Sequence, residues 1–394
     1  MTYSGGVQQL ITAAQVLPGP AKQRIPDGAV LIDGGVITAV GPRREVEQQA
    51  TPEAHRHDFP RHTVLPGLIN CHIHLVFDAG PDPVGAVQET EDTDLLAGMA
   101  ERARQLLAAG VTTVRDLGDR NGLAIKLRDE LSGPRIVASG PPITIPQGHC
   151  WFLGGEVDGE DALRARVRAT AEMGANVIKV MASGGQITPG SPPMWQNQFS
   201  QRELRIVVEE ATSAGLPVAA HAHGTEAIAA AVEAGVTTVE HCTWIRAGGG
   251  YDQRADVAEQ MAARGIYACS AWPPDWRGFM RRLGTERAEL LSARFHWLDE
   301  LGVQLIPGTD AGLPNSGFTD YVSALELYEH LGFARDRIIE MATTTSAAAL
   351  NLANQTGQLT PGYSADLLVV AGDPLTSLSA LHNRELVLVR GDIA

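Results

Sequence analysis

The 394-residue sequence predicts an α/β fold, a (β/α)8 TIM-type barrel with a small β-sandwich domain formed by the N- and C-terminal segments. Three observations predict it. Through the middle of the chain, short β-branched runs alternate with Ala/Leu/Glu/Arg-rich helical stretches, and alternating β and α implies a parallel sheet with right-handed crossovers. Eight such runs occur, at 64–72, 111–116, 135–139, 176–181, 217–221, 236–241, 266–270 and 303–308, and eight units can close on themselves. The hexapeptide AGVTTV stands at 109–114 and again at 234–239, each time joining a helix end to a strand. An open doubly wound sheet is the alternative, but no GxGxxG follows a first strand to support it.

The ends have a different texture. Residues 29–42, AVLIDGGVITAVGP, are two apolar runs around Gly-Gly and read as a hairpin. SADLLVVAGDP (364–374) and ELVLVRGDI (385–393) are further strands. Residues 1–63 and 359–394 are therefore expected to make one terminal β-domain around a barrel of 64–358. With 44% hydrophobic and 20% charged residues there is ample material for a core. A net charge of −15 argues against nucleic acid and anionic membranes as partners. The start, MTYSGGVQQLITAAQVLPG, has no basic segment followed by an apolar one, so no signal peptide is expected. No apolar run reaches the ~18 residues of a membrane span. Cys71, Cys150, Cys242 and Cys269 lie far apart with no CxxC and are read as small buried hydrophobes in a reducing cytoplasm. The expected partners are a small-molecule substrate and further copies of the chain.

Barrels present catalytic groups at the C-terminal ends of their strands. The first run ends in His72-Ile-His74, and period-two spacing turns both imidazoles to one side. The fourth carries Lys179 among Val, Ile and Met. The fifth ends in His221 and His223, the sixth in His241, the eighth in Asp310. A lone buried His is usually hydrogen-bonded core, and HRH at 55–57 repeats the HxH spacing in polar sequence with no role assigned. Five histidines and an aspartate at matching strand ends are a different matter, because a barrel makes them converge. Imidazoles with a carboxylate suit Zn²⁺ and similar divalent ions. Burial should lower the pKa of Lys179. A neutral amine there could ligate or take up CO₂, or the side chain could snorkel to the rim; spacing alone does not choose.

LPGLINCHIHL, VIKVMASGG, HAHG, VEHC and PGTDAG, followed by GQLTPGYSADLLVV, together resemble the metal-dependent amidohydrolase superfamily. TTVRDLG (112–118), SGPPITIPQGHC (139–150) and the strand-four lysine resemble its prolidase and imidazolonepropionase-like branch. The resemblance implies two divalent ions, Zn²⁺ first among them. His72 and His74 would hold the more buried one, His221 and His241 the other, with a CO₂-carboxylated Lys179 bridging. Asp310 would ligate and take the proton of the bridging hydroxide. His149 matches a histidine near the substrate, and His223, where relatives often carry an aromatic or polar residue, joins the catalytic candidates. The bridging lysine, and the lack of a deaminase's extra Glu, weigh against deamination. The implied reaction is hydrolysis of an amide C–N bond, in an Xaa-Pro-type dipeptide or N-acyl amino acid. A cyclic amide, or an ester, lactone or phosphotriester on the same centre, are the alternatives.

Loops after the strands should set specificity. Trp151, Trp195, Trp244, Trp272 and Trp276 follow predicted strands, while Trp297 reads as helix packing. Trp195, Trp244 and Trp272 are taken as substrate-binding candidates for an apolar or aromatic group. A substrate carboxylate would need a cation, for which Arg115 and a protonated His149 are candidates, unless Arg115 pairs with Asp116 or Asp119. The loop 75–94 carries six acids and no base, which suits a cationic ligand or a solvated loop at a helix start.

Overall fold

A computed structural model describes residues 8–394. Residues 1–7, part of the start read above as lacking a leader, lie outside the described residues. The N-terminal segment folds into β1 (Gln9–Val16), β2 (Ile25–Asp33), β3 (Val36–Pro42) and β4 (His55–Pro66). β2 and β3 form the hairpin expected from Gly-Gly. Gly34 and Gly35 sit at φ 56° and 80°, a pair of left-handed residues that a two-residue turn demands and glycine supplies without strain.

Eight parallel strands follow: β5 (Leu68–Ile73), β6 (Val111–Asp116), β7 (Arg135–Ala138), β8 (Ile178–Met181), β9 (Val218–Gly224), β10 (Thr238–Ile245), β11 (Tyr267–Cys269) and β12 (Leu305–Ile306). They pair in chain order as one arc of β5 to β7 and one of β8 to β12. Backbone bonds cross both seams. Asn176 N donates to Ala138 O at 2.8 Å and Ile143 N to Lys179 O at 2.8 Å, while Cys71 N donates to Pro307 O at 3.0 Å. Helices fill the connections. That of Gln201–Ser213 starts at a Ser200/Glu203 capping box and buries Leu204, Val207 and Ala211, as an amphipathic crossover should. No described helix is long and apolar enough to cross a membrane. All four cysteines are free and buried.

The chain returns through β13 (Leu367–Ala371), β14 (Arg384–Val389) and β15 (Asp392–Ile393). These join β1 to β4 in one sheet of order β15-β14-β13-β4-β1-β2-β3. Hydrogen bonding thus gives a single seven-stranded sheet, with Ile11, Val30, Ile37, Val64, Leu367 and Val369 in its core.

The first barrel strand starts later than the apolar run at 64–72 suggests. Thr63 to Pro66 pair with Val370 to Leu367 in the terminal sheet, and the barrel begins at Leu68. Both halves of the run are buried, so hydrophobicity does not mark the break; Gly67 does. A Cβ on Gly67 would stand 2.0 Å from Thr112 Oγ1 and 2.4 Å from its Cγ2. Gly67→Ala is expected to cost about 1–3 kcal/mol through overpacking, read as a lower urea midpoint at unchanged slope.

Candidate metal centre

His72 and His74 leave β5 with both imidazoles facing Asp310, which follows β12. Each Nε2 stands 3.3 Å from Asp310 Oδ1. Their other nitrogens are engaged. His74 Nδ1 is 3.2 Å from Gly118 O, and a carbonyl can only accept, so Nδ1 donates there and Nε2 is the nitrogen turned to Asp310. His72 Nδ1 is 2.8 Å from Glu240 Oε2. On the facing side His221 and His223 from β9 meet His241 from β10. The His221–His241 and His223–His241 ring centroids are 4.5 and 4.4 Å apart. His241 Nδ1 lies 3.9 Å from Asp310 Oδ2, so Asp310 faces both groups. Burial pushes the Asp310 carboxyl up, but His72, His74 and His241 outweigh it and hold it well below the usual carboxylate range.

The backbone is bent to reach this geometry. His241 has φ 65° and Asp310 φ 56°, left-handed values that cost of order 1–3 kcal/mol each for residues other than glycine. Asp310 N donates to His72 O at 2.9 Å, and Asn70 Nδ2 donates to Thr309 Oγ1 at 2.7 Å. These bonds hold the turn against β5.

Lys179 on β8 is 2% exposed, so it does not snorkel to the rim. Among the described residues its ammonium has no ion pair, and burial pulls its pKa down against the pull of Glu240 and Asp310. His149 lies beside His221, ring centroids 4.7 Å apart. Its Nδ1 is 3.2 Å from Thr188 Oγ1. Burial, with Lys179 nearby, pushes His149 down to about 3. Burial, with His149 nearby, does the same to His223, also to about 3.

Two sets of three ligating atoms, His72/His74/Asp310 and His221/His223/His241, each lie within 4.8 Å of one another. Imidazoles with one shared carboxylate fit divalent metal ions. In a third set, His72/Glu240/Cys269, Glu240 is already engaged by Arg115 and Thr238.

Residues 63–394 match the model of the amidohydrolase family. The chain belongs to the amidohydrolase family. Residues 28–50 match a bacterial imidazolonepropionase-like composite domain. The ochratoxinase of Aspergillus niger is 27% identical over 425 residues, covering 96% of this chain and 84% of the relative. The imidazolonepropionase of Cereibacter sphaeroides is 27% identical over 396 residues, covering 90% and 91%. Among solved structures, a Xaa-Pro dipeptidase with methionine bound in its active site superposes with TM-score 0.84 at 26% identity, covering 98% of this chain and 99% of that one. This amidohydrolase is a hydrolase acting on C–N bonds, in a metal-dependent family.

Three residues expected to bind substrate are buried against internal partners in this amidohydrolase. Arg115 is 2% exposed and pairs with neither Asp116 nor Asp119. It donates to Glu240 Oε1 at 2.8 Å, Thr238 Oγ1 at 3.0 Å and Cys71 O at 2.7 Å, which spends it on the barrel interior. Trp244 is fully buried, edge-on to Trp297 with ring centroids 5.3 Å apart. Trp272 is buried against Phe279 and Phe295, at 5.1 and 5.9 Å. A place after a strand assigns a residue to the loop face but not the direction of its indole. Trp195 and Trp151 are exposed, whereas Trp276 is buried on His330, ring centroids 4.8 Å apart. Burial works against a protonated His149 as the cation for a substrate carboxylate. The acids of 75–94 serve local structure: Asp82 caps the helix Pro83–Glu89, and Asp92 pairs with Arg120.

Glu240 escaped the sequence reading. It sits inside VEHC on an otherwise apolar strand, and such a residue is buried only when paired. Arg115 in TTVRDLG was the matching cue. Arg115→Met is expected to cost about 3–5 kcal/mol, because it strands the Glu240 charge. Urea denaturation reads this; a substrate-contacting arginine would instead leave stability unchanged and raise KM.

Proposed function

We propose that this chain hydrolyses the amide bond of an Xaa-Pro-type dipeptide or N-acyl amino acid, using two divalent ions, Zn²⁺ first, held by His72, His74, Lys179, His221, His241 and Asp310. The observation that carries it is Asp310, whose oxygens face imidazoles of both groups at 3.3 and 3.9 Å. Ions held there would supply a water whose pKa falls from 15.7 towards ~7 and a Lewis acid for the scissile carbonyl. Lys179, whose pKa burial lowers, would hold the ions as a carbamate, formed when its nitrogen lone pair adds CO₂ and releases one proton. Asp310 takes the proton of the attacking water and delivers it to the leaving nitrogen. His149 and His223, kept neutral by burial, hydrogen-bond the substrate without adding charge. Trp195 and Trp151 offer exposed apolar surface to its side group. With the ion-paired Arg115 and neutral His149 set aside, no carboxylate contact is assigned.

The substrate class draws support from the Xaa-Pro dipeptidase fold match and from the ochratoxinase relative. A second possibility, a cyclic amide, draws on the imidazolonepropionase relative and on the composite-domain match at 28–50. We further infer one closed (β/α)8 barrel with the terminal sheet as its β-sandwich, in a cytoplasmic homo-oligomer. A panel of dipeptides, N-acyl amino acids, lactams, esters and phosphotriesters tests the function. Turnover confined to lactams moves it to cyclic amides, and turnover confined to esters or phosphotriesters removes it.

Metal analysis after dialysis should find two ions per chain. One ion in a fully active enzyme rejects the binuclear site. Lys179→Ala should lose metal and activity together, with partial return on adding a short carboxylic acid; full activity in that variant rejects the bridge. Asp310→Asn should lower kcat by about 10²-fold or more with a smaller change in KM, the mark of a lost proton acceptor. A drop confined to KM rejects that role.

A further inference from the structure

We propose that Glu240, clamped by Arg115 and Thr238, is a positioning residue that fixes His72 in the tautomer able to ligate, so that metal loading depends on a carboxylate outside the ligand set. This rests on the metal-dependent function proposed above. Neutral imidazole carries its proton on one nitrogen or the other, and only the bare one can bind a metal. His72 Nε2 faces Asp310. Its Nδ1 lies 2.8 Å from Glu240 Oε2. A carboxylate only accepts, so Nδ1 carries a proton, and Nε2 is the nitrogen left to give its lone pair to a metal in place of its contact with Asp310.

The clamp makes Glu240 more than an ordinary acceptor. Arg115 spans three strands: Nε donates to Cys71 O on β5 at 2.7 Å, Nη1 to Thr238 Oγ1 on β10 at 3.0 Å, and Nη2 to Glu240 Oε1 at 2.8 Å. Because Thr238 Oγ1 accepts from Arg115, its single proton goes to Glu240 Oε1. Two donors therefore converge on Oε1, and that position must be an oxygen. Arg115, Glu240 and His72 are 2%, 0% and 1% exposed, so no water can substitute for a lost partner.

The consequence for Glu240→Gln is specific. Its one oxygen has to stay under Arg115 and Thr238, which turns the amide NH₂ onto His72 Nδ1. That nitrogen must then accept, the proton moves to Nε2, and the ligating lone pair is gone. The change is isosteric, yet it inverts the donor and acceptor of one hydrogen bond.

The test uses the full chain, dialysed free of metal and titrated with Zn²⁺ against a chromophoric chelator. Wild type should take up two ions, and Glu240→Gln should bind one of them about 10–100-fold more weakly with an unchanged far-UV circular dichroism spectrum. Wild type binding two ions while the variant matches it within threefold overturns the inference alone. Wild type taking up no Zn²⁺ overturns the metal-dependent function and this inference with it. Should Glu240→Gln not fold, the wild type answers by itself. In ¹⁵N-histidine-labelled, metal-free protein, two-bond ¹H–¹⁵N correlations should show His72 protonated at Nδ1, the resonance being assigned by its absence in His72→Gln. An Nδ1 without a proton overturns the inference.

Discussion

At the centre of the barrel, Arg115 and Glu240 form an ion pair 2.8 Å apart with essentially no solvent, and much of the surrounding geometry depends on it. Taking two charges out of water costs several kcal/mol each, and their attraction recovers this only when the remaining donors and acceptors are satisfied. Here they are: each of the three guanidinium nitrogens donates, and the carboxylate receives from Arg115, Thr238 and His72. The pair thus links β5, β6 and β10 through side chains at the level where His72 leaves its strand. Packed hydrophobes of the same volume could stabilise the interior as well, but they could not orient an imidazole.

The candidate metal centre beside this pair is built at close quarters. A Cβ on Gly308 would stand 2.5 Å from the His72 Cβ, and one on Gly185 would lie 2.2 Å from the His149 ring. Backbone presses directly on functional side chains at both places, which leaves their rotamers little room. The left-handed φ of His241 and Asp310 follows from the same requirement. A strand in ordinary pleat cannot turn these two side chains toward the shared centre. The scaffold maintains their strained backbone through bonds such as Asp310 N to His72 O.

Much of this was legible in the sequence because its cause is local. Alternating β and α texture located seven of the eight barrel strands closely, and polar residues ending apolar runs picked out His72, His74, His221, His241 and Asp310, which the fold brings together. The failures share another cause. Arg115, Trp244 and Trp272 were assigned by their loop-face positions, but where a side chain points is decided by its packing partners: Glu240 for Arg115 and Trp297 for Trp244, both far away in the chain, and Phe279 with Phe295 for Trp272. Glu240 was missed because its partner lies 125 positions away. The start of the first barrel strand was misplaced because both halves of the run at 64–72 are buried, and burial is all that hydrophobicity reports.

The order of strands in the terminal sheet has a consequence for how the molecule is made. β4 pairs on one side with β1, which precedes it, and on the other with β13, through Thr63↔Val370 and its neighbours. Some three hundred residues separate those partners. At 5–20 residues per second, the ribosome needs roughly 15–60 s to supply them. Throughout that interval β1 to β4 present an apolar, hydrogen-bond-hungry edge that the rest of the sheet has yet to cover. The nascent chain must cross that window before its last strands dock, so any truncation upstream of β13 leaves the open edge as a permanent invitation to aggregate.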